Sequence, residues 1–422
     1  MTERDQTANQ TSSNQPKLGP RPLAAHLAGP MVMSMFSCAA LPTWKPGSPR
    51  LNATPARNLE KNSRKSNPVE NPQSSADIDP AKLSKAVLEE LTRRFSAMGN
   101  GIRSYRHFAY RHGATFQADA VVWREGTSSL LGYGLSGDAP PVFIVPSLVN
   151  RGYILDLHEG ASFARWLSDR GHPVYLMDWD APGDTERRFD ISAYIARLDR
   201  AYRSVSSDVP PAVLGYCMGG NLALGLVLRL NGLCRTAAML ATPWDFHAED
   251  ANRAKTLAAS LPAFQPVMDI LGELPVDAIN GLFAGLDPLL AYRKFQRFAG
   301  LPKDSAAARR FVELEDWLND GIPLAAPVAQ ECFAEWYGEN SPAAGTWKID
   351  GKTVDPAAFE GRSLVVIPDA DRIVPPASTG ALATRLGNCH TLRPKAGHIG
   401  MMAGRSAQSD IWPKIADFLA GA

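Results

Sequence analysis

The chain has 422 residues, of which 45% are hydrophobic, 21% charged and 8% aromatic. These values are ordinary for a globular protein, so they exclude collagen-like, fully disordered and multi-pass membrane classes. Its 44 basic and 43 acidic residues leave a formal charge of +1, which gives no case for nucleic acid as a partner. Five cysteines without a C-x-x-C pair predict neither a disulfide scaffold nor a zinc site. Their odd number leaves at least one free thiol, which fits a reducing compartment such as the cytoplasm.

Residues 1–78 are predicted to form a disordered basic tail. This segment is rich in Asn, Gln, Ser, Thr and Pro, and residues 1–75 carry a net charge of +5, which leaves −4 for the rest of the chain. A polar segment interrupted by Pro buries too little apolar surface to offset the entropy lost on ordering. The near-neutral chain is therefore a basic tail joined to an acidic body.

One apolar island, residues 23–42, interrupts the tail. It is about as long as a membrane span, but His26, Pro30 and two serines make it a poor one. A secretory signal is opposed by the long polar leader with Glu3 and Asp5. Two alternatives remain open: a helix lying on an apolar surface, and a segment that packs on its own domain or on a partner.

From residue 79 onwards, helical patterns alternate with short apolar runs. The first helix is indicated by an apolar stripe between Leu83 and Phe95. Five continuous apolar runs are typical of buried strands and cover residues 142–145, 174–177, 212–214, 237–240 and 364–367. Helical patterns between them cover residues 163–167, 191–205 and 221–230. This alternation predicts an α/β fold with a mainly parallel sheet and helices on both faces.

Residues 243–340 break the alternation with a helical pattern, rich in aromatic residues and Pro, that contains no clear strand. Ligands bind at the carboxyl ends of the strands in such sheets. We therefore expect these residues to form a helical lid, which we call the cap, over those ends. The core is then divided into a first part, residues 79–242, and a second part, residues 341–422.

The candidate chemistry concentrates in the run GYCMGG at residues 215–220, between a predicted strand and a predicted helix. This is the G-x-nucleophile-x-G elbow with Cys217 in the place of Ser. The sharp turn leaves no room for neighbouring side chains, and the helix N-terminus favours a thiolate. The backbone N–H of Met218 would face the attacked carbonyl. A small buried cysteine in a tight turn is the alternative interpretation.

A thiol nucleophile needs a base, and in α/β-hydrolases the chain order is nucleophile, acid, His. His398 lies between glycines in the run AGHIG at residues 396–400, which is typical of a loop that approaches another element. His390 lies within a predicted strand, so we expect it to pack or to be solvated. His247 lies at the start of the cap, where a structural or substrate-facing role is expected.

The acid of such a site should follow a strand. Asp371 follows the predicted strand at residues 364–367 and is the expected acid, with Asp369 as the alternative. For either carboxylate, capping of the loop is the structural alternative.

Four segments resemble, in order, those of the polyhydroxyalkanoate synthases, which have the α/β-hydrolase fold. They are residues 145–157 (VPSLVNRGYILDL), the elbow, residues 371–375 (DRIVP) and residues 397–400 (GHIG). Asp178-Trp179 and residues 336–340 (WYGEN) fit the same pattern. The resemblance spans about residues 85–420 and is strongest to the short, class III-like catalytic subunit that works with a second, non-catalytic subunit.

The resemblance implies a role for each matching residue. Cys217 would be the acylated nucleophile, His398 the general base and Asp371 the carboxylate that orients the His. The oxyanion hole would take one backbone N–H from Met218 and one from the loop around Val149 and Asn150.

The chain departs from the family pattern at two points. The aromatic residue usual after Val145-Pro146 is absent, since Ser147-Leu148 stand there, and the short synthase core lacks an extension rich in Pro and Ser. Both departures bear on substrate range and on the use of a partner, and they leave the three candidate residues unaffected.

The implied function is that of an acyltransferase that polymerises (R)-3-hydroxyacyl-CoA into polyhydroxyalkanoate with release of CoA. The implied partners are the substrate, the polyester chain or granule surface, a second synthase subunit and, as a homodimer or larger oligomer, further copies of this chain. No metal or redox cofactor is needed. We expect a cytoplasmic protein, attached to granules if the basic tail and its island bind them.

Two other functions are alternatives to polymer synthesis. The same three residues serve a Cys-dependent esterase, thioesterase or intracellular polyhydroxyalkanoate depolymerase, because fold and triad alone do not decide the fate of the acyl group. A non-enzymatic granule-surface or scaffold protein that kept the fold is the third, and the ordered survival of all three residue types counts against it.

Overall fold

The structure, a computed structural model, describes residues 19–28, 80–108 and 118–421. The predicted disorder of the tail falls on residues outside these ranges, except at residues 19–28. Most of the apolar island, residues 29–42, also lies outside the described residues.

An eight-stranded sheet forms the centre of the molecule. In chain order its strands are β1 (Ala120–Glu125), β2 (Ser128–Tyr133), β3 (Val142–Val145), β4 (Val174–Trp179), β5 (Ala212–Tyr216), β6 (Thr236–Leu240), β7 (Arg362–Val366) and β8 (Cys389–Leu392). Their order across the sheet is β1-β2-β4-β3-β5-β6-β7-β8, and of these eight strands β2 alone runs in the opposite direction to the others. This is the α/β-hydrolase fold, as predicted. The hairpin of β1 and β2 was not predicted.

The helices in chain order are α1 (Pro80–Arg106), α2 (Phe163–Ser168), α3 (Ile191–Val205), α4 (Met218–Arg229), α5 (Ala251–Ala258), α6 (Leu261–Leu271), α7 (Val276–Leu286), α8 (Leu290–Ala299), α9 (Ala306–Asn319), α10 (Ala326–Glu331), α11 (Ser341–Ala344), α12 (Pro376–Ala383), α13 (Gly400–Ala403) and α14 (Trp412–Ala420). A π-helical turn, Cys332–Gly338, continues α10. Helix α4 begins three residues earlier than predicted, immediately after Cys217.

The central strands form continuous apolar runs because both faces of the sheet are covered. Every residue of β3, β5 and β6 is buried. Phe143 and Val145 share one core cluster with residues of α3 and α4, whereas Val142 and Ile144 share the other with residues of α2 and α14. Successive side chains of a strand point to opposite faces, so a four-residue run anchors helices on both sides.

Helices α5 to α10 lie between β6 and β7 in the chain, in the region predicted to be the cap. The prediction of no strand there was wrong in one detail, because Glu273–Leu274 pairs with Leu324–Ala325 in a short antiparallel ribbon. A two-residue strand is too short to give a sequence period. The predicted domain boundaries remain predictions.

Residues 19–28 pack against the cap, although they fall in the predicted tail. Residues 23–28 are helical, and Leu23 and Leu27 pack against a cluster formed by α1, α8 and α9. The backbone N–H of Arg21 donates to Asn319 Oδ1 at 2.8 Å. The described part of the apolar island therefore packs on its own domain, which was one of the alternatives. Among the described residues, no helix is long and apolar enough to cross a bilayer.

Candidate active site

Cys217 occupies the turn between β5 and α4. Its backbone has φ 56° and ψ −131°, a conformation that costs on the order of 1–3 kcal/mol in a residue other than Gly. The N–H of Cys217 donates to Leu240 O at 2.9 Å, which ties the strained residue to the end of β6. The side chain of Cys217 is partly exposed, as a nucleophile must be.

The glycines around Cys217 are required by close contacts. A Cβ on Gly219 would lie 2.1 Å from Val145 O, and a Cβ on Gly220 would lie 1.8 Å from Thr242 Oγ1. A Cβ on Gly215 would lie 2.5 Å from Gly219 O. No side chain fits in these spaces, so the GYCMGG run satisfies the steric demand of the elbow.

Asp371 and His398 lie on the loops after β7 and β8 and meet directly. His398 Nδ1–H donates to Asp371 Oδ2 at 2.7 Å. The other oxygen, Asp371 Oδ1, accepts from the backbone N–H groups of Ile373 at 2.8 Å and Val374 at 2.9 Å. Both side chains are buried, so the carboxylate is fixed in position and in turn fixes the imidazole.

His398 is also in contact with Cys217. Burial lowers the pKa of His398, but the charge of Cys217 and the hydrogen bonds to Asp371 and Cys217 raise it more, so that the pKa is raised to about 10. The Tyr216 hydroxyl donates to His398 O at 3.2 Å, which holds the histidine loop against β5. The structure therefore brings Cys217, His398 and Asp371 together, which is the arrangement that a nucleophile, a base and an acid require.

The alternative residues lie elsewhere. Asp369 pairs with Arg393, 3.1 Å from its Nε. His390 is exposed on β8, where its ring packs against Phe418. His247 Nε2–H donates to Tyr337 O at 2.8 Å, so this histidine connects the start of the cap to its last turn.

The predicted oxyanion donors are in different environments. Met218 is the first residue of α4, where the N–H has no acceptor within the helix. The Val149 N–H donates to Ser147 Oγ at 3.1 Å. For the Asn150 N–H, no acceptor is found in the described part of the chain. We call residues 147–151, which follow β3, the β3 loop.

Tyr337 of the cap lies close enough to Cys217 for their charges to interact, although the sequence assigned no role to this residue. Burial, followed by the charges of Cys332 and Cys217, raises the pKa of the Tyr337 hydroxyl. The two ends of the cap are joined beside the turn that contains Tyr337, because Asn340 Oδ1 accepts from Phe246 N–H at 2.9 Å. The position of Tyr337 within WYGEN was the available sequence signal, but nothing local indicates that this residue lies near Cys217. In the described ranges, no cluster of three His, Cys, Asp or Glu side chains suits a metal ion.

Comparison with curated proteins finds several relatives that carry the same name. The poly(3-hydroxyalkanoate) polymerase subunit PhaC of Synechocystis sp. is 30% identical over 291 residues, 66% of this chain and 77% of the relative. The protein of the same name from Haloarcula marismortui is 29% identical over 285 residues, 66% of this chain and 60% of the relative. That from Allochromatium vinosum is 26% identical over 355 residues, 81% of this chain and 98% of the relative.

The coverage of these relatives differs. The chain spans 60% of the length of the Haloarcula marismortui relative and 63% of that of the Haloferax mediterranei relative. No model of a known protein family matches the chain.

Solved structures resemble the chain more distantly. A monoacylglycerol lipase from Paleococcus ferrophilus is 16% identical, with a TM-score of 0.45, and the match covers 69% of this chain and 98% of that one. A thermophilic esterase from Thermogutta terrifontis is 15% identical, with a TM-score of 0.45, and the match covers 70% of this chain and 93% of that one.

Proposed function

The chain belongs to the poly(3-hydroxyalkanoate) polymerase subunit PhaC family, and from this membership we propose that it polymerises (R)-3-hydroxyacyl-CoA into polyester. The observation that carries the proposal is the match to the Synechocystis relative over 77% of its length. The contact of Cys217, His398 and Asp371 supports it, because these residues can form and pass on an acyl group.

In the first half-reaction, Cys217 is the nucleophile. His398 accepts the thiol proton, and the thiolate attacks the thioester carbonyl of the acyl-CoA. The oxyanion that forms is stabilised by the Met218 N–H, assisted by a second N–H from the β3 loop. Collapse of this intermediate breaks the bond to CoA sulfur, and His398 returns its proton to the departing CoA thiolate. Asp371 stabilises the imidazolium throughout.

In the second half-reaction, the acyl group leaves Cys217 as an ester. The enzyme-bound group is still a thioester, so it keeps its transfer potential. His398 takes the proton of a hydroxyl group, from a monomer or a chain end, and the oxygen attacks the thioester carbonyl. One ester bond forms, the bond to Cys217 sulfur breaks, and the proton passes from His398 to the Cys217 thiolate, which restores the thiol. Exclusion of water by the cap favours the hydroxyl over hydrolysis.

The test supplies purified full-length protein with 3-hydroxybutyryl-CoA and follows both free CoA and product, with Cys217→Ala as the control. We expect CoA release together with insoluble polyester, and neither with Cys217→Ala. Release of CoA with free hydroxy acid alone would replace the proposal by a hydrolase. A protein without turnover, even with a second synthase subunit present, would be a scaffold.

The proposal extends to partners and location. The relatives are named as subunits, which supports work with a second, non-catalytic subunit. Association of this chain into a homodimer or larger assembly is a further part of the proposal. The basic tail with its apolar island supports attachment to polymer granules in the cytoplasm.

Granule attachment is tested without disturbing residues 19–28, because these pack against the cap. Replacing Met31, Met33, Met35 and Phe36 together by Ser removes much of the apolar character of the island. We expect the protein to move from granules to the soluble fraction with unchanged CoA release. Unchanged granule association would remove the island from the proposal.

A further inference from the structure

The end of α9 pairs with the β3 loop, about 170 residues away in the chain. Asn150 and Gly321 form an antiparallel bridge, and the N–H of Ile322 donates to Val149 O at 3.1 Å. The indole Nε1–H of Trp317 donates to Arg151 O at 2.8 Å. The carbonyl groups of Val149 and Arg151, on either side of Asn150, are therefore both hydrogen-bonded by residues at or just after the end of α9.

The side chain of Arg151 adds a second connection. Its Nε donates to Asp320 Oδ1 at 3.1 Å, and its Nη1 donates to Asp180 Oδ1, after β4, at 3.0 Å. The guanidinium thus joins Asp320, just after α9, to the carboxyl end of β4. Because the two carboxylates are partly exposed, these ion pairs alone would hold the loop weakly.

The end of α9 is itself held from two other directions. Gly321 lies so close to α7 that a Cβ would approach Val276 Cγ1 to 2.8 Å. On another side, residues 19–28 contact Asn319 through the Arg21 N–H, and Arg21 Nε donates to Asp277 Oδ1 on α7 at 3.0 Å. Residues 317–322 are therefore held in place by contacts with α7 and with residues 19–28.

We propose that residues 317–322 are the positioning element of the β3 loop, so that the cap determines where the second oxyanion donor stands. The inference rests on the proposed function, since it assigns to the β3 loop a part in acyl transfer. The cap would then have two roles, to exclude water from the site and to hold the β3 loop in position.

The pairing geometry explains how positioning would work. Residues that face each other in an antiparallel pair either exchange hydrogen bonds or lie between flanking bonds without bonding to each other. The bond from Ile322 N–H to Val149 O shows that Asn150 and Gly321 form a pair of the second kind. The Asn150 N–H consequently points away from α9, in a direction set by the pairing. An oxyanion donor must stand 2.7–3.1 Å from the developing charge, and its loss costs about 10²–10³ in rate. A shifted loop should cost about tenfold.

The test compares two reactions of Cys217 that differ in their need for an oxyanion hole. Acylation by p-nitrophenyl butyrate passes through a tetrahedral oxyanion, whereas alkylation by iodoacetamide does not. Trp317→Phe removes the donor to Arg151 O and keeps an aromatic ring, and Asp320→Asn weakens the contact to the Arg151 side chain. Alkylation is followed on the Cys217 peptide by mass spectrometry, because other thiols are present.

Trp412→Phe is the matched control. Trp412 is as deeply buried as Trp317 and belongs to the same core cluster. Its Nε1 has no partner among the described residues, and it lies in α14, away from α9 in the chain. Any general effect of shrinking a buried indole should appear equally in both variants.

We expect Trp317→Phe to lower the acylation rate about tenfold, and Asp320→Asn by a smaller factor, while alkylation stays within about twofold. Trp412→Phe should leave the ratio of the two rates unchanged. An unchanged ratio in Trp317→Phe and Asp320→Asn, or an equal fall in Trp412→Phe, would overturn the positioning role alone. A wild-type protein that is alkylated at Cys217 but never acylated there would instead remove the proposed function.

Discussion

The sheet core and the cap hold their parts of the candidate site in different ways. In the core, Cys217 and Asp371 are fixed by backbone hydrogen bonds at the carboxyl ends of buried strands. The cap exposes apolar side chains on α6 and α8, with Ile270 82% and Leu290 52% exposed. It also buries side chains such as Val328 against the core, but it supports the site indirectly, through contacts such as those of residues 317–322 with the β3 loop. The comparison teaches that core substitutions should have all-or-none effects on the chemistry, whereas cap substitutions should have graded ones.

The largest effect is expected in the core, at Cys217. Cys217→Ala should lower acyl transfer by a factor of about 10⁴ or more, because no other group can hold the acyl chain. It should also lower the pKa of His398 from about 10, since the charge of Cys217 is the largest of the contributions that raise it. Turnover assays and NMR titration of the imidazole measure the two effects. Full activity of this variant would show that the site is wrongly assigned.

The next effect concerns Asp371. Asp371→Asn keeps the shape but removes the charge that stabilises the imidazolium, so the turnover rate should fall by a factor of about 10²–10⁴. Asp369→Asn is the matched control, because Asp369 lies two residues away and pairs with Arg393 instead. Equal losses in the two variants would indicate that the loop, and not the carboxylate of Asp371, is what matters.

A pair of glycines compares packing in the two regions. Gly219→Ala in the elbow places a Cβ against Val145 O and should lower the free energy of unfolding by about 2–4 kcal/mol. Gly281→Ala in α7 of the cap meets nothing within 4 Å and should raise it by about 0.5–1 kcal/mol, because Ala favours helix. Urea unfolding measures both, and similar changes in both variants would contradict the difference between the regions.

The smallest effect concerns the pH dependence of the contact between cap and core. Glu331 in α10 accepts hydrogen bonds from Ile191 N–H and from Trp347 Nε1–H, both at 3.2 Å. Burial raises the pKa of Glu331 from 4.5 to about 7, opposed by these hydrogen bonds and assisted by the charges of Glu335 and Asp190. Because the pKa is higher in the folded state, stability is full below pH 4.5 and falls as the pH rises to 7.

In Glu331→Gln the free energy of unfolding should fall less between pH 5 and pH 8 than in the wild-type protein, by at most about 3 kcal/mol. Asp178 titrates in the same window, since burial also raises its pKa to about 7, so the comparison is made in wild-type and in Asp178→Asn protein. Urea unfolding at the two pH values checks the prediction. The raised pKa of His398 adds its own fall in stability above pH 6.5. A fall between pH 5 and pH 6.5 that survives in the double variant would therefore place its origin elsewhere.

Much of the core was predictable because its signals are local. The five continuous apolar runs became β3 to β7 within two residues at each end, since a strand covered on both faces needs apolar residues throughout. The β1–β2 hairpin was missed, although Gly126 with φ 56° supplies its two-residue turn. That glycine between two runs rich in β-formers was a usable signal.

The candidate site was predictable in residue types and less so in contacts. The choice of His398 over His390 rested on flanking glycines, whereas chain order did not separate Asp371 from Asp369, since both follow the same predicted strand. Only the structure gives the 2.7 Å bond between His398 and Asp371 and the pairing of Asp369 with Arg393. The contacts of residues 317–322 had no sequence signal, and the WYGEN run marked Tyr337 without indicating which residues it faces. Helical periodicity indicates which face is buried but not what covers it.

The sequence by itself determined the α/β core, the elbow around Cys217 and the position of the cap in the chain, because strand burial, glycine sterics and helical periodicity are short-range properties. The tertiary structure decided which acid meets the histidine, which cap residues reach the β3 loop and that residues 19–28 pack against α9. These contacts join residues separated by 27 positions for Asp371 and His398, 166 for Arg151 and Trp317, and 298 for Arg21 and Asn319. Which residues meet at such separations depends on how the whole sheet and its helices pack, and a local sequence pattern carries no information about that packing.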